Sequence, residues 1–172
     1  MIRSVCVPLF VCLFMVCSAR AALELPYFFS DHMVLQRGES AAVWGLAKPN
    51  EKVKVSFKGH TAITQADGKG HWRTNIKTGE ADATGFPLIV LTAGFETIRI
   101  ENVVVGEVWF ASGQSNMAME VRSSPEYNEL VSKTNLPNLR MFNAANVATV
   151  EPQTDIAGVW SQANPQTIPN YS

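Results

Sequence analysis

The chain has 172 residues, of which 47% are hydrophobic and 17% are charged. This balance is typical of a globular protein and excludes a disordered one. Its 14 basic and 15 acidic side chains leave a formal net charge of −1 at pH 7. Because no excess of positive charge is present, we expect no nucleic acid and no anionic membrane surface as partners.

The N-terminal residues are typical of a secretory signal. Arg3 supplies a short basic start, residues 5–17 are apolar except for one proline, and residues 19–21 form a small-x-small cleavage site. A stretch of about 13 apolar residues is shorter than the roughly 20 that a membrane-spanning helix needs. We therefore predict that residues 1–21 are a signal peptide and that the protein is exported without a membrane anchor, to the periplasm, the outside of the cell or a lysosome. All three cysteines lie in this segment, so the mature chain is expected to contain no disulfide: Cys6, Cys12 and Cys17.

Residues 25–105 consist of short runs of β-forming residues separated by turn signals. The spacing of about 8 to 12 residues between turns is that of a β-sandwich or barrel. In residues 52–58 apolar and polar side chains alternate strictly, which predicts a strand with one buried face. Residues 71–76 and 97–101 show the same alternation. We predict a β-rich, sandwich-like domain over residues 22–105.

The pattern changes after Gly106. Residues 107–112 form a nearly continuous apolar run, which predicts a strand buried on both faces, as in a parallel sheet covered by helices. Gly113 then permits a sharp turn, and Ser115 follows at the start of a helix, where backbone N–H groups favour negative charge. From this position alone Ser115 is either a helix cap or a nucleophile whose own N–H helps to bind an oxyanion.

The next helix and strand complete this part of the prediction. Ser123 and Glu126 have the spacing of a capping box, and an apolar stripe continues through Lys133. Residues 139–143 are predicted to form the following strand. Because strand, helix and strand open an α/β domain, we predict that residues 106–172 are the incomplete N-terminal part of one.

Three segments of the chain occur in a characteristic order. They are Phe-Ser-Asp-His-Met-Val-Leu-Gln-Arg at residues 29–37, Val-Trp-Gly at residues 43–45, and Val-Val-Gly-Glu-Val-Trp-Phe-Ala-Ser-Gly-Gln-Ser-Asn-Met at residues 104–117. In that order they resemble the N-terminal portion of the sialate O-acetylesterase family of the SGNH hydrolase superfamily. The Gly-Gln-Ser-Asn-Met pentapeptide is the most specific part of the resemblance.

The resemblance implies both a fold and a chemistry. It implies a β-rich domain followed by a flavodoxin-like α/β esterase domain that acts on an acetylated carbohydrate without a cofactor. It implies Ser115 as the nucleophile, with its backbone N–H in the oxyanion hole, and Gly113, Gln114 and Asn116 as supporting residues of the motif. No cluster of cysteine, histidine or acidic residues has metal-ligand spacing, so no metal site is predicted.

The residue that should activate Ser115 is missing from this sequence. A serine hydroxyl needs a base, which in the resembled family is a histidine far downstream of the nucleophile. No histidine follows Ser115, and His32, His60 and His71 all precede it. Asp31 is adjacent to His32, but neighbours on a strand point to opposite faces, so the two are a weak catalytic pair. We therefore predict an N-terminal fragment of an exported carbohydrate O-acetylesterase that is inactive by itself.

A second hypothesis is a secreted, non-catalytic β-module. Such a module would bind a glycan or a protein partner, and the residues after 105 would be an appendage. Tryptophan rings could stack on sugars, although tryptophans on strands are more often part of the core. The candidates are Trp44, Trp72, Trp109 and Trp160.

Overall fold

A computed structural model describes residues 22–171 of the chain. The predicted signal peptide and the three cysteines therefore lie outside the described residues. The strands are β1 (Val34–Gln36), β2 (Ala41–Leu46), β3 (Lys52–Phe57), β4 (His60–Gln65), β5 (His71–Ile76), β6 (Asp82–Thr92), β7 (Thr97–Gly106), β8 (Leu136–Ala144) and β9 (Gly158–Ala163). One α-helix, α1 (Tyr127–Lys133), and three short 3₁₀ helices (Ser115–Ala118, Val121–Ser123 and Ile168–Asn170) complete the described elements.

The strands form one larger sheet and two pairs. The larger sheet has the order β1-β7-β6-β3-β4, in which β1 runs parallel to β7 and the other neighbours are antiparallel. Strand β2 pairs with β5, and β8 pairs with β9, both antiparallel. Buried side chains of β2 and β5 belong to the same hydrophobic cluster as those of the larger sheet. The β-rich character predicted for this part of the chain is confirmed.

The predicted alternation of buried and exposed side chains is also confirmed. In β3 the lysines are exposed while the apolar side chains between them are buried. Thr74 and Ile98, both predicted to face inward, are partly buried. The other side chains predicted to face inward are fully buried: Val53, Val55, Phe57, Trp72, Ile76 and Ile100.

A glycine in the Val-Trp-Gly segment is required by a close backbone approach. Glu24, in the segment before β1, forms two backbone hydrogen bonds with Leu46, at 2.9 and 3.0 Å. A Cβ atom at Gly45 would collide with the Glu24 carbonyl oxygen and lie 3.1 Å from Cζ2 of Trp72. Any side chain at position 45 would therefore push the N-terminal segment away from β2.

The predicted strand at residues 107–112 is not present. Strand β7 ends at Gly106, and residues 107–112 are exposed, without regular secondary structure and outside any sheet. Trp109 and Phe110 are 87% and 95% exposed. The prediction is wrong because an apolar run becomes a doubly buried strand only between neighbouring strands, and no described strand runs beside residues 109–112.

The α-helix begins later than predicted and has a different cap. Ser123 lies in a 3₁₀ helix, where its N–H donates to the Glu120 carbonyl (2.8 Å). Glu126 occupies the N-cap position of α1 without a side-chain capping hydrogen bond. Just before the helix, Oγ of Ser124 accepts from the Glu126 N–H (3.2 Å) and donates to Oε2 of the same residue (2.6 Å). Ser124 has an extended backbone, as expected for a residue before a proline. In residues 22–171 no helix is long and apolar enough to cross a membrane.

Strand β8 pairs in a way that the sequence does not predict. It covers the predicted residues 139–143 but is longer, and its partner is the antiparallel β9, for which no strand is predicted from the sequence. Within described residues 107–171 no parallel strand pair is formed. The expected flavodoxin-like arrangement is therefore not seen, because residues 107–112 provide no strand for β8 to follow.

The β8–β9 hairpin packs on the N-terminal segment through aromatic side chains. Trp160 is buried, and its Nε1–H donates to the Phe28 carbonyl oxygen (2.8 Å). The Phe28 ring lies edge-on to the rings of Trp160 (5.3 Å) and Phe142 (5.5 Å). These contacts connect the end of the chain to the β-rich part.

Candidate active site

Ser115 lies at the surface, at the start of a tight turn. It is the first residue of the 3₁₀ helix Ser115–Ala118, which follows the exposed segment after β7. Its side chain is exposed, and its hydroxyl forms no hydrogen bond with any other residue in the described part of the chain. The hydroxyl is therefore accessible to a ligand and is not used as a helix cap.

The residues around Ser115 stabilise this turn. The Met117 N–H donates to the Gln114 carbonyl (2.9 Å), and the Met119 N–H donates to the Asn116 carbonyl (3.2 Å). Gly113 does not adopt a left-handed backbone, but a Cβ there would lie 2.6 Å from Cγ of Met117. Gly113 therefore makes room for the Met117 side chain. The side chains of Gln114 and Asn116 are exposed.

None of the three histidines forms a hydrogen bond with Ser115. Nδ1 of His32 lies 2.8 Å from Nδ2 of Asn102. His71 lies beside Asp67, with 3.7 Å between Nδ1 and Oδ2, and His60 is exposed at the start of β4. In residues 22–171 Ser115 thus has no histidine as an immediate general base.

Asp31 and His32 both hold a turn against β7. They lie in a turn and not in a strand, so the argument from opposite strand faces does not apply. Oδ1 of Asp31 accepts from the Glu101 N–H (2.7 Å), while His32 has a left-handed backbone (φ 69°). The two side chains therefore bind different partners on β7 and do not form an acid–histidine pair.

Arg140 is a buried cation in the same region that is not predicted from the sequence. Its guanidinium donates to the carbonyl oxygens of His32 (3.1 Å) and Asn102, and to Oδ1 of Asn102 (3.1 Å). Burial lowers the pKa of Arg140 below its ordinary value. Its position within a mixed polar and apolar strand gave no signal that the side chain would be buried.

Glu107 is held by two side chains of the N-terminal segment. Nε2 of Gln36 donates to its Oε2 (3.0 Å), and Nε of Arg37 donates to its Oε1. Hydrogen bonds from Gln36 and then Arg37 lower the pKa of Glu107. Nothing in the sequence indicates that these side chains pair, although all three lie within the segments that carry the resemblance.

The described surface contains no arrangement typical of a metal site. Among residues 22–171 no group of three or more histidine, cysteine or acidic side chains could hold a metal ion. Two shallow surface hollows lie mainly on the β-rich part, one beside Asp31 and His32 and one beside Trp44 and Arg73. Ser115 lines neither of them.

Comparison with known proteins identifies the family. The chain is 30% identical to the sialate O-acetylesterase of Mus musculus over 161 residues, which cover 84% of this chain and 29% of that protein. It is 26% identical to the sialate O-acetylesterase of Homo sapiens over 165 residues, or 88% of this chain and 31% of that protein. The chain belongs to the sialate O-acetylesterase family. The predicted resemblance is confirmed, although no family model matches the chain.

A solved structure agrees with this family. The crystal structure of a carbohydrate acetylesterase from Xanthomonas citri has a TM-score of 0.82 and 31% sequence identity to this chain. The match covers 87% of this chain and 34% of that one. This member of the sialate O-acetylesterase family thus spans about a third of the length of the relatives that it matches.

Proposed function

We propose that this chain carries the nucleophile of a carbohydrate O-acetylesterase, with Ser115 as that nucleophile. Oγ of Ser115 would give its proton to a base and attack the carbonyl carbon of an acetyl ester, and the ester C–O bond would then break as the sugar oxygen takes up that proton and leaves as a hydroxyl group. Water would then attack the acetyl-serine, releasing acetate and the free serine. The observation that carries the proposal is the exposed, unbonded Ser115 hydroxyl inside the Gly-Gln-Ser-Asn-Met motif of this family.

The backbone of Ser115 has a second proposed role. The N–H of the first residue of a helix has no partner within the helix, so it is available to a ligand. We assign it as one donor to the oxyanion that forms on the acetyl carbonyl. Gly113, Gln114 and Asn116 would support this geometry by forming the turn around Ser115. No cofactor takes part in this chemistry.

We further propose that the base comes from polypeptide equivalent to the remaining two thirds of the relatives. No histidine follows Ser115 in this sequence, and none of the described histidines is bonded to it. The same additional polypeptide would cover residues 107–112 and turn them into the buried strand of an α/β domain. The protein would be exported by the signal peptide proposed for residues 1–21.

The structure gives less support to a glycan-binding β-module. Trp72 and Trp160 are buried. The ring of Trp44 contacts the Phe29 ring edge-on (4.7 Å), and the Arg73 guanidinium lies over it (5.7 Å). Trp109, which belongs to the segment leading to Ser115, is the one described tryptophan that is largely exposed.

A chimeric enzyme tests the assignment of Ser115. Residues 22–171 of this chain would replace the matching part of the Xanthomonas citri carbohydrate acetylesterase. We expect this chimera to release acetate from an acetylated sugar, and Ser115→Ala to lower kcat by a factor on the order of 10⁴ or more, since no nucleophile remains.

The matched control is Ser112→Ala in the same chimera. Ser112 is exposed and lies three residues before Ser115 in the same segment. We expect its substitution to leave kcat unchanged. An active chimera that keeps its rate after Ser115→Ala would contradict the proposal. The 172-residue chain alone should hydrolyse the ester only at the background rate, with or without Ser115.

A further inference from the structure

We propose that Glu107 is a positioning residue for the segment that carries Ser115. Held between the side chains of Gln36 and Arg37, it sets the point and direction at which this segment leaves the sheet. The inference rests on the proposed function only in naming Ser115 as the group that is positioned.

The two strands that meet here diverge just before Glu107. Strands β1 and β7 pair in parallel up to Gln36 and Gly106, and the Arg37 N–H donates to the Gly106 carbonyl (2.8 Å). The chain after β1 then turns towards Gly79, where Gly38 forms two backbone hydrogen bonds. Residues after Gly106 therefore lose the backbone partner that β1 provided.

Side chains of β1 and Arg37 replace that partner. Oε1 of Gln36 accepts from the Val108 N–H (2.8 Å), as the next carbonyl of a strand would. Nε2 of Gln36 and Nε of Arg37 bind the two carboxylate oxygens of Glu107 separately. A carboxylate bound at both oxygens by two different donors is fixed in orientation as well as in position.

A second anchor lies beyond Ser115. The Val121 N–H donates to the carbonyl oxygen of Tyr171 (2.7 Å), whose side chain is buried and whose hydroxyl bonds to Ser161. Between Val108 and Val121 the hydrogen bonds that the structure describes are local to the segment. Ser115 is thus held between two anchors, and Glu107 is the acidic side chain of the first.

The effect of Glu107 on the position of the segment that carries Ser115 can be separated from any effect of Glu107 on the stability of the fold. The side chains of Arg37 and Glu107 are 48% and 49% exposed, and ion pairs at the surface contribute little to the free energy of unfolding. Removing the Glu107 charge should therefore make the segment that carries Ser115 more mobile, while the hydrophobic core stays intact. A residue with only a role in folding would lower the thermal midpoint and leave the segment as ordered as before.

Pulsed electron paramagnetic resonance on the full chain measures this directly. Cys6, Cys12 and Cys17 are replaced by serine, after which Ser115→Cys and Lys54→Cys carry nitroxide labels. Lys54 is exposed on β3 of the larger sheet, so it provides a rigid reference. The distribution of distances between the two labels reports the position of residue 115 without any catalytic turnover, so its outcome is independent of the proposed function.

We expect a narrow distribution in this background and loss of the narrow peak in Glu107→Gln, with an unchanged thermal midpoint. Glu80→Gln is the matched control, because Glu80 is 96% exposed and is the second acidic partner of Arg37, at 3.7 Å; its peak should stay narrow. A broad distribution before any change at Glu107, or an equally narrow one after it, would overturn the inference.

If Glu107→Gln fails to fold, exchanging the charges at positions 37 and 107 tests the inference instead. Arg37→Glu and Glu107→Arg would each bring two like charges together and should broaden the distribution. Combining the two substitutions restores an opposite-charge pair. A narrow peak in the double variant supports the inference, and a broad one overturns it.

Discussion

Arg140 is a buried cation that binds neutral oxygen atoms. Its partners in the described residues are the carbonyl groups of Pro137, His32 and Asn102 and the side chain of Asn102. Both His32 and Asn102 have left-handed backbones, with φ of 69° and 55°. One guanidinium therefore stabilises two uncommon backbone conformations and connects β8 to β7.

Arg140→Ala should lower the free energy of unfolding by about 1–3 kcal/mol, because buried carbonyl groups would lose their donor. Urea denaturation measures the change. Arg99→Ala is the control, since Arg99 is half-exposed and pairs with Glu101 at the surface; we expect a change within about 0.5 kcal/mol. Equal effects of the two substitutions would show that the buried hydrogen bonds of Arg140 contribute no more to the free energy of unfolding than a surface ion pair does.

Asp82 gives a pH dependence of known sign. A hydrogen bond from Lys58 (2.6 Å), together with hydrogen bonds from Thr84, lowers the pKa of Asp82 from 3.8 to about 2. Because the carboxylate form is favoured in the folded state, its contribution is fully present above pH 3.8 and is lost as the pH falls towards 2.

Asp82→Asn should therefore make the free energy of unfolding fall less steeply between pH 4 and pH 2, as measured by urea denaturation at several pH values. Lys58→Met should have a similar effect, since it removes the first cause of the lowered pKa. Parallel pH profiles for the original chain and both variants would contradict this account of Asp82.

At the scale of elements, the strands of the β-rich part could be predicted because apolar and polar residues alternate along them, which indicates that one face of each strand is buried. The alternation in β3 states which face is buried, whatever the partner strand. Residues 107–112 differ, because an apolar run indicates burial but does not identify the neighbouring strands or helices that would cover it. Strand β9 was missed for the opposite reason: Val159 is exposed and Trp160 buried, but the run is too short to give a periodic signal.

Trp160→Ala tests how the β8–β9 hairpin is held. Trp160 is 6% exposed, and its ring packs on Phe28 and Phe142. We expect a loss of about 3–5 kcal/mol in the free energy of local unfolding of the hairpin, measured by amide hydrogen exchange in β8 and β9.

The neighbouring residue provides the control for this substitution. Val159 is 71% exposed on the other face of β9, so Val159→Ala should leave exchange in β8 nearly unchanged. Amides in β3 and β6 should keep their protection in both variants. Loss of protection throughout the larger sheet after Trp160→Ala would show that the hairpin and the sheet unfold as one unit.

For the molecule as a whole, the residues after Gly106 expose apolar surface that a stable monomer would normally bury. Exposed apolar side chains in this part of the chain include Trp109, Phe110, Met119, Leu130 and Leu136. The sequence predicts that residues 107–112 are buried, whereas the structure leaves Trp109 and Phe110 exposed. The motif predicts Ser115 as the nucleophile, but no histidine follows it in this sequence, so a complete catalytic site could not be predicted.

Replacing Trp109 and Phe110 together by serine tests this surface. Because both rings are exposed, we expect less binding of the dye ANS, less light scattering on concentration, and an unchanged thermal midpoint. Ile63 is the control, being 69% exposed on β4 and distant in sequence; Ile63→Ser should leave dye binding unchanged. A fall in the thermal midpoint of the double variant would show that the two rings pack within the fold.

The central claim is that Ser115 attacks the ester, and a covalent label tests it most directly. The active chimera is treated with a fluorophosphonate, which reacts with activated serines, and is then digested with trypsin. The peptide of residues 100–122 contains both Ser112 and Ser115, and its fragment ions separate the two positions. We expect the added mass on Ser115 alone. A label on Ser112, or a chimera that hydrolyses the ester while residues 100–122 remain unlabelled, would contradict the account.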